Sequence, residues 1–342
     1  MKKQNLIRRA LVIAFISLVA FSAAEAKGKK YGLFVGINAY QDGINPLKGC
    51  VNDATKMREA MISKFGFNAA DTTLLTDAAA TRAGILTNLN KYATLAGPGD
   101  ILVMHYSGHG TLFPDKYSEE QDETKLIYME LPDKEGKMQV LYPRGTYDSA
   151  MVPVDARQTT SGKPWRNLIL DDELYAILGG VTRKGAQVVL ISDSCHSGSI
   201  DKDKLSDEVE IRTESLATVF GARSFGELEL EKPATTRTTK MLPPASGLYL
   251  SMTGSQDDEF SLDVKFGELP MGLFSALFLR EVAKLSVATP NKPIMASYEQ
   301  IMAQVSKNVA TTAQGWGRQQ HPQLNYTYGN PKMVLFSVPA AK

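Results

Sequence analysis

Two short segments of the chain carry residue types suited to nucleophilic catalysis. His109 stands in a Ser-Gly-His-Gly segment directly after the apolar run 101–106, and Cys195 stands in an Asp-Ser-Cys-His-Ser-Gly segment after the run 187–192. A cysteine thiol with a pKa of about 8.5 is mostly protonated at neutral pH, and an adjacent imidazole lowers that pKa and holds the thiolate. The neighbouring glycines leave room for a substrate backbone and offer amide groups to an oxyanion. These residues predict a Cys-His dyad for acyl transfer.

The elements around these segments must bring His109 and Cys195 together. Apolar runs bounded by turn signals alternate with amphipathic stretches along the chain, which predicts an α/β protein with a mostly parallel sheet covered on both faces. Catalytic groups in such sheets gather beyond the carboxyl ends of the strands. The predicted strands are 31–37, 73–75, 101–106, 187–192, 248–253 and 333–338, and the predicted helices are 51–65, 81–94, 171–178, 273–285 and 296–309.

Each segment taken alone has a simpler interpretation. A cysteine at a strand end is often a small buried hydrophobe, and a Ser-Gly-His-Gly segment is often only a turn. His105 and His109 have the i, i+4 spacing of a zinc pair, but Gly108 and Gly110 oppose the helix that such a pair needs. Together, at the ends of two buried strands, the segments favour catalysis.

The two segments resemble the metacaspase relatives of the caspase fold. The resemblance extends to Gly32–Asn38, Gly49–Ala54, Met151–Asp155, Gly254–Glu259 and Gly272–Ser275. It implies a three-layer α/β/α sandwich in which His109 is the general base and Cys195 the nucleophile. Gly110 and Cys195 would then supply the backbone amides of the oxyanion hole. We expect a large part at 27–200 with an insertion at 113–147, a linker at 201–247 and a small part at 248–342.

The resemblance also implies a substrate pocket. Asp53 and Asp193 would flank the side chain before the scissile bond, with Cys50 and Ser107 beside them. Two carboxylates in a small pocket suit a cation, because like charges are tolerated without water only when a cation lies between them. We therefore expect protein or peptide substrates with Arg or Lys before the scissile bond. The alternative is that Asp53 merely caps the helix that begins nearby.

No cofactor is expected to be required, and Ca²⁺ is the ion that the resemblance suggests as an activator. Asp148, Asp171, Asp172 and Asp201 are the corresponding positions, and grouped carboxylates suit a hard cation. The alternative is that Asp171 and Asp172 only begin a helix, where negative charge is favourable.

The first 26 residues have the pattern of a signal peptide. Four basic residues precede an apolar run that ends in Ala24-Glu25-Ala26, a small-x-small cleavage pattern. We expect an exported protein, periplasmic or secreted, with no membrane association after cleavage. Without the leader, 34 basic and 36 acidic residues remain of the 38 and 37 in the whole chain. This balance does not indicate a nucleic-acid partner, and the resemblance favours a monomer.

Three questions remain open at this stage. Cys50 and Cys195 are the two cysteines, and they are either two thiols or one bridge. The basic residues of the linker are candidate self-cleavage points, namely Arg212, Arg223, Lys232, Arg237 and Lys240. A catalytically silent binding module at the cell envelope, or another cysteine hydrolase or transpeptidase on the same fold, is the alternative to an endopeptidase.

Overall fold

The structure is a computed structural model, and it describes residues 28–40, 44–114, 130–132, 138–140, 147–156, 167–194, 209–212, 248–256, 259–266, 269–286, 296–328 and 332–337. The strands are β1 (Lys30–Gly36), β2 (Thr72–Thr76), β3 (Ile101–Ser107), β4 (Gly110–Pro114), β5 (Glu130–Pro132), β6 (Met138–Val140), β7 (Tyr147–Met151), β8 (Ile169–Leu170), β9 (Gln187–Asp193), β10 (Val209–Ile211), β11 (Tyr249–Thr253), β12 (Leu262–Phe266), β13 (Leu269–Gly272) and β14 (Gln323–Tyr328). The α-helices are α1 (Cys50–Phe65), α2 (Arg82–Leu95), α3 (Asp171–Arg183), α4 (Leu273–Ala283) and α5 (Tyr298–Gly315).

Six strands form the central sheet in the order β14-β11-β9-β3-β1-β2. All neighbouring strands are parallel except β14, which runs antiparallel to β11. The three-layer α/β sandwich predicted from the sequence is therefore confirmed. Because β3 and β9 are direct neighbours, with Ser107 opposite Asp193, their carboxyl ends meet at one edge of the sheet.

The side chains of the central strands alternate between two apolar layers, as a period of two requires. On β3, Leu102 and Met104 face a layer that includes residues of α2 and α3, while Ile101 and Val103 face the layer of α1, α4 and α5. Strands covered on both faces are almost wholly apolar. His105 shares the second side with Phe34, whose ring centroid lies 6.4 Å from its own.

The prediction of a final strand at 333–338 is wrong. Within residues 332–337, Val334 makes only an isolated bridge to Ser297, and Phe336 adopts a left-handed conformation with φ of 47°. The Phe336 ring packs at 4.7 Å from that of Phe65, and its amide donates to the Tyr298 hydroxyl. The apolar side chains of this run therefore pack into the core without forming a strand. The edge strand of the central sheet is instead the more polar β14.

Two small sheets lie beside the edge of the central sheet at which β3 and β9 end. β4 follows His109 directly and pairs with β7, which pairs with β8. The other sheet has the order β10-β12-β13, and its β10 is a short strand within the segment whose composition is typical of a linker. Among the described residues, no helix is both long and apolar enough to cross a membrane.

Candidate active site

His109 is fixed in the turn between β3 and β4, where it is almost fully buried. Its Nε2 lies 2.7 Å from the carbonyl oxygen of Asn45. Because a carbonyl can only accept, Nε2 must carry the hydrogen, and Nδ1 is the ring nitrogen that can accept a proton. The imidazole is thus held in the tautomer that a general base requires, with a backbone carbonyl as the orienting group.

Two tyrosine hydroxyls hold the backbone of this turn. The Tyr106 hydroxyl donates to the His109 carbonyl at 2.6 Å and accepts from the Val152 amide at 3.2 Å. The Tyr40 hydroxyl accepts from the His109 amide at 2.9 Å and donates to the Val152 carbonyl at 3.0 Å. A Cβ on Gly108 would lie 2.7 Å from both hydroxyl oxygens, so the turn requires glycine there. Sequence reasoning missed both tyrosines and Asn45.

His105 plays a different part from His109. It is completely buried in β3, and burial lowers its pKa to about 3, so it is neutral at physiological pH. Neither of its ring nitrogens has a hydrogen-bond partner among the described residues. It behaves as a packed strand residue.

Cys195, predicted as the nucleophile, lies outside the described residues, and so does His196. The described chain extends to Ser194, which follows β9 and is buried. The Ser194 hydroxyl lies 2.9 Å from that of Ser192. Ser194 therefore lies at the sheet edge where β3 leads into His109.

The four residues predicted to form the substrate pocket are all buried at this edge. Ser107, at the end of β3, donates to the Asp53 carboxylate at 2.8 Å. Asp193, at the end of β9, accepts from the Ser275 amide at 2.9 Å. Cys50 is the first residue of α1, and it is a free thiol. The structure thus brings Asp53, Ser107 and Asp193 together.

Asp53 does not cap its helix. The N-cap of α1 is Gly49, which makes no side-chain cap. The Asn38 side chain accepts instead from the amides of Cys50 at 2.9 Å and Val51 at 3.3 Å. The Asp53 carboxylate accepts from Ser107 and from the Gly272 amide at 3.1 Å, and it faces the pocket.

A third carboxylate, Asp263 of β12, completes the pocket. One of its oxygens accepts from the amides of Lys48 at 3.0 Å and Gly49 at 2.9 Å, which fixes its orientation. Asp263 was not foreseen, because it alternates with apolar residues in β12 in the ordinary pattern of a strand with one polar face. Three carboxylates in one buried pocket repel one another unless a cation or a proton intervenes.

The cation is the chain's own Arg212, whose side chain is completely buried. Its Nη2 lies 2.7 Å from Asp53 Oδ2 and 3.2 Å from Asp263 Oδ1. Its Nη1 donates to Ser107 Oγ at 2.7 Å and lies 3.3 Å from Asp193 Oδ2. This planar fork uses the geometry in which arginine best pairs with carboxylates.

The pocket wall leaves no spare room for a side chain at Gly272. A Cβ there would come within 2.2 Å of Asp193 Oδ2 and 2.5 Å of Arg212 Nη1. The Ser261 hydroxyl supports the wall by donating to Asp193. Gln320 bridges the Gly254 carbonyl at 2.8 Å and the Leu262 amide at 3.2 Å. Ser261 and Gln320 were also missed from the sequence.

The charges of the pocket shift the pKa values of its members. Burial raises the pKa of Asp53 to about 7, and Asp193 and Asp263 act in the same direction, while Arg212 opposes the rise. Burial acts to lower the pKa of Arg212, but the carboxylates around it prevail and hold that pKa well above its ordinary value. Burial also raises the pKa of Cys50 well above its ordinary value, so it remains a thiol.

The predicted calcium ligands are only partly described. The side chain of Asp171 is exposed at the start of α3 and accepts from the Ser149 amide at 3.3 Å, which places it beside the residue that follows Asp148. Asp201 and the side chains of Asp148 and Asp172 lie outside the described part. Among the residues described, no group of three or more His, Cys, Asp or Glu is arranged to hold a metal ion.

Comparisons with known proteins identify the family to which the chain belongs. The family model described as the caspase domain matches residues 29–330, and the chain belongs to this peptidase family. It is 28% identical to Metacaspase-1A of Aspergillus fumigatus over 350 residues, covering 93% of this chain and 73% of that protein. It is 26% identical to Metacaspase-1B of the same organism, covering 92% of this chain and 74% of that protein.

A solved structure shares the fold of this chain. A solved structure of a protein from Geobacter sulfurreducens covers 91% of this chain and 99% of its own, with a TM-score of 0.59 and 24% identity. The chain is accordingly a cysteine-type endopeptidase of the metacaspase-like kind.

Proposed function

We propose that the chain cleaves peptide bonds after Arg or Lys, with Cys195 as nucleophile and His109 as general base. The observation that carries this proposal is the buried pocket that holds the guanidinium of Arg212 between Asp53, Asp193 and Asp263. A pocket with three carboxylates repels an acidic side chain and attracts a basic one. The pocket lies at the same sheet edge as His109. A substrate residue whose basic side chain occupies the pocket would therefore place its own carbonyl group near His109.

The proposed reaction has two steps. His109 Nδ1 accepts the thiol proton, and the Cys195 thiolate attacks the carbonyl carbon of the substrate's Arg or Lys residue. The amides of Gly110 and Cys195 stabilise the oxyanion, and the His109 proton passes to the leaving amine. Water activated by His109 then hydrolyses the thioester. The Asn45 carbonyl and the two tyrosine hydroxyls hold the imidazole in place through both steps.

The test is hydrolysis of fluorogenic peptides that end in Arg, Lys or Asp, with reductant present. Cys195→Ala is the control, and Glu59→Gln, an exposed change on α1, is the matched variant that should retain activity. Turnover after Arg or Lys that disappears in Cys195→Ala supports the proposal. Turnover after Asp would overturn the pocket assignment. Silence of folded protein with every peptide, with and without Ca²⁺ and after prolonged incubation, would instead favour a binding module on the same fold.

Calcium stimulation is a further part of the proposal. The exposed carboxylate of Asp171, next to the strand that carries Asp148, supplies the oxygen chemistry that a hard cation prefers. Activity should rise with Ca²⁺ and lose this response in Asp171→Asn. Equal calcium responses in the two proteins would remove Asp171 from the site.

We also propose export with removal of residues 1–26, followed by action as a monomer in the periplasm or outside the cell. The basic start and apolar run of the leader support export. N-terminal sequencing of the protein recovered outside the cytoplasm should begin at Lys27, and light scattering should give the mass of one chain. Recovery of intact leader in the cytoplasm, or of a dimer mass, would contradict the respective statement.

A further inference from the structure

The segment 209–212 lies across the candidate active site as an extended strand. β10 pairs antiparallel with β12, with Ile211 opposite Leu262. The pairing continues beyond β10, because the Arg212 amide donates to the Ser261 carbonyl at 3.1 Å. An extended peptide that adds to the edge of a sheet in this way uses a common mode of peptide recognition.

The carbonyl of Arg212 points to the amide proposed for the oxyanion hole. Its oxygen accepts a hydrogen bond from the Gly110 amide at 3.3 Å, and Gly110 directly follows His109. Its side chain fills the acidic pocket at the same time. A substrate arginine would need all of these contacts, so the segment and a substrate cannot occupy the cleft together.

The burial of Arg212 is too complete for a surface residue of a linker. Arginine is almost never fully buried unless it is paired, and here the pairing partners come from three separate parts of the chain, α1, β9 and β12. Four hydrogen bonds join the two terminal nitrogens of the guanidinium to the pocket. The pocket therefore complements this side chain in both charge and hydrogen bonding. The polar composition of the segment does not indicate such burial.

We propose that Val209–Arg212 is the resident substrate of this chain, that Arg212–Thr213 is the first bond it cleaves, and that the uncut segment closes the cleft to other peptides. This inference rests on the proposed cleavage after Arg. It selects Arg212 from the five basic candidates in the linker. It also predicts that peptides with the sequence Val-Glu-Ile-Arg bind antiparallel to β12 once the segment has left.

The chemistry of the first turnover balances without a co-reactant other than water. The Cys195 thiolate forms a bond to the Arg212 carbonyl carbon as the bond to the Thr213 nitrogen breaks, and the Thr213 amine takes the proton that His109 carries. Water then adds to the thioester, which restores the Cys195 thiol and leaves Arg212 as a new C-terminal carboxylate. With its covalent tether to Thr213 broken, the strand can leave the cleft and open it.

The first experiment locates the cut. Purified wild-type protein, Cys195→Ala, Arg212→Gln and Arg223→Gln are incubated with reductant and calcium, and the new termini are read by mass spectrometry. We expect termini at Arg212 and Thr213 in the wild type and in Arg223→Gln, and neither in the other two variants. A wild-type chain that becomes active with the 212–213 bond intact would overturn the inference while the proposed function stands.

The second experiment tests whether the segment closes the cleft. Hydrolysis of acetyl-Val-Glu-Ile-Arg-aminomethylcoumarin should begin with a lag, and its rate should follow the cleaved fraction of the chain. In the Cys195→Ala background, acetyl-Val-Glu-Ile-Arg amide should bind to Arg212→Ala in calorimetry and bind at least about tenfold more weakly to the parent, because the resident side chain competes.

The outcomes separate the two proposals. Full activity of uncut protein from time zero, or equal peptide binding with and without Arg212, would contradict the closed cleft. If Arg212→Ala does not fold, the lag in peptide hydrolysis by the wild type still decides whether the uncut segment closes the cleft. If no variant hydrolyses any Arg or Lys peptide, the proposed function fails, and calorimetry on the Cys195→Ala proteins still decides whether Arg212 holds the pocket.

Discussion

Asp53 provides a test of the pocket electrostatics, since three carboxylates surround one guanidinium. The pKa of Asp53 is raised from 3.8 to about 7, first by burial and then by the two other carboxylates. The folded protein therefore binds this proton more tightly than the unfolded chain does. The resulting stabilisation is fully present below pH 4 and is lost as the pH rises through 7. A shift of about three pKa units corresponds to roughly 4 kcal/mol.

Asp53→Asn should abolish this pH dependence, because asparagine imitates the protonated carboxyl. Its amide oxygen can take the position of Oδ2, where it would accept from Ser107, Arg212 and the Gly272 amide as the carboxylate does. The variant should match its parent in stability only below about pH 4, and at pH 5 it should already be more stable by roughly 1.6 kcal/mol, because the carboxyl of the unfolded parent is then mostly ionised. At pH 9 it should be more stable by about 4 kcal/mol, or roughly 10 °C in melting temperature for a chain of this size.

The assay is thermal unfolding of Cys195→Ala and Cys195→Ala/Asp53→Asn between pH 5 and 9. The difference between the two curves isolates Asp53 from all the other titrating groups. Glu59→Gln in the same background removes an exposed carboxylate from the same helix and should give a difference near zero throughout. A variant that is equally destabilised at every pH would refute the reasoning, because Asp53 would then be an ordinary ionised partner of Arg212.

Three further substitutions probe the rest of the site. Asp263→Asn removes a charge-assisted bond to the bound guanidinium, worth about 1.5–3 kcal/mol, and should lower kcat/KM for Arg peptides about ten- to a hundredfold; unchanged kinetics would exclude Asp263 from the pocket. Tyr106→Phe removes the donor to the His109 carbonyl and should reduce kcat about tenfold with little change in KM, whereas a rise in KM alone would argue for a different role. Gly272→Ala places a methyl group 2.2 Å from Asp193 Oδ2, and overpacking of about 1–3 kcal/mol should raise KM for Arg peptides about tenfold. Gly97→Ala, whose nearest neighbour is 3.9 Å away, is its control.

The sequence predicts the central architecture well because the central strands are buried on both faces. Runs such as 101–106 and 187–192 have one consistent interpretation, and the ends of two such strands predict the position of His109. The prediction fails at 333–338, where the same apolar signal belongs to a turn anchored by the ring and backbone of Phe336. The spacing of apolar residues does not distinguish a buried strand from an irregular segment that packs into the core.

The pocket residues show a different limit of sequence interpretation. Asp53 and Asp193 could be anticipated because they lie within recognisable segments at helix and strand ends. Asp263 belongs to β12 and reaches the pocket only because the small sheet folds against the N-terminus of α1. Arg212 stands in a polar segment, and only the three-dimensional arrangement shows that its charge is neutralised inside the protein. Contacts between residues far apart in sequence leave no local pattern to detect.

The same carboxylates that would select a substrate arginine also hold Arg212, so selectivity and closure of the cleft share one set of contacts. A change that weakens the pocket should weaken both, and Asp263→Asn should shorten the lag before peptide hydrolysis as it lowers the affinity for Arg peptides. The resident segment has the advantage of being tethered, since it is present at a high effective concentration until the chain is cut. Once the Arg212–Thr213 bond is broken, the cut strand retains its contacts but loses one end of its tether. Competition from external peptides can then succeed without any change in the pocket itself.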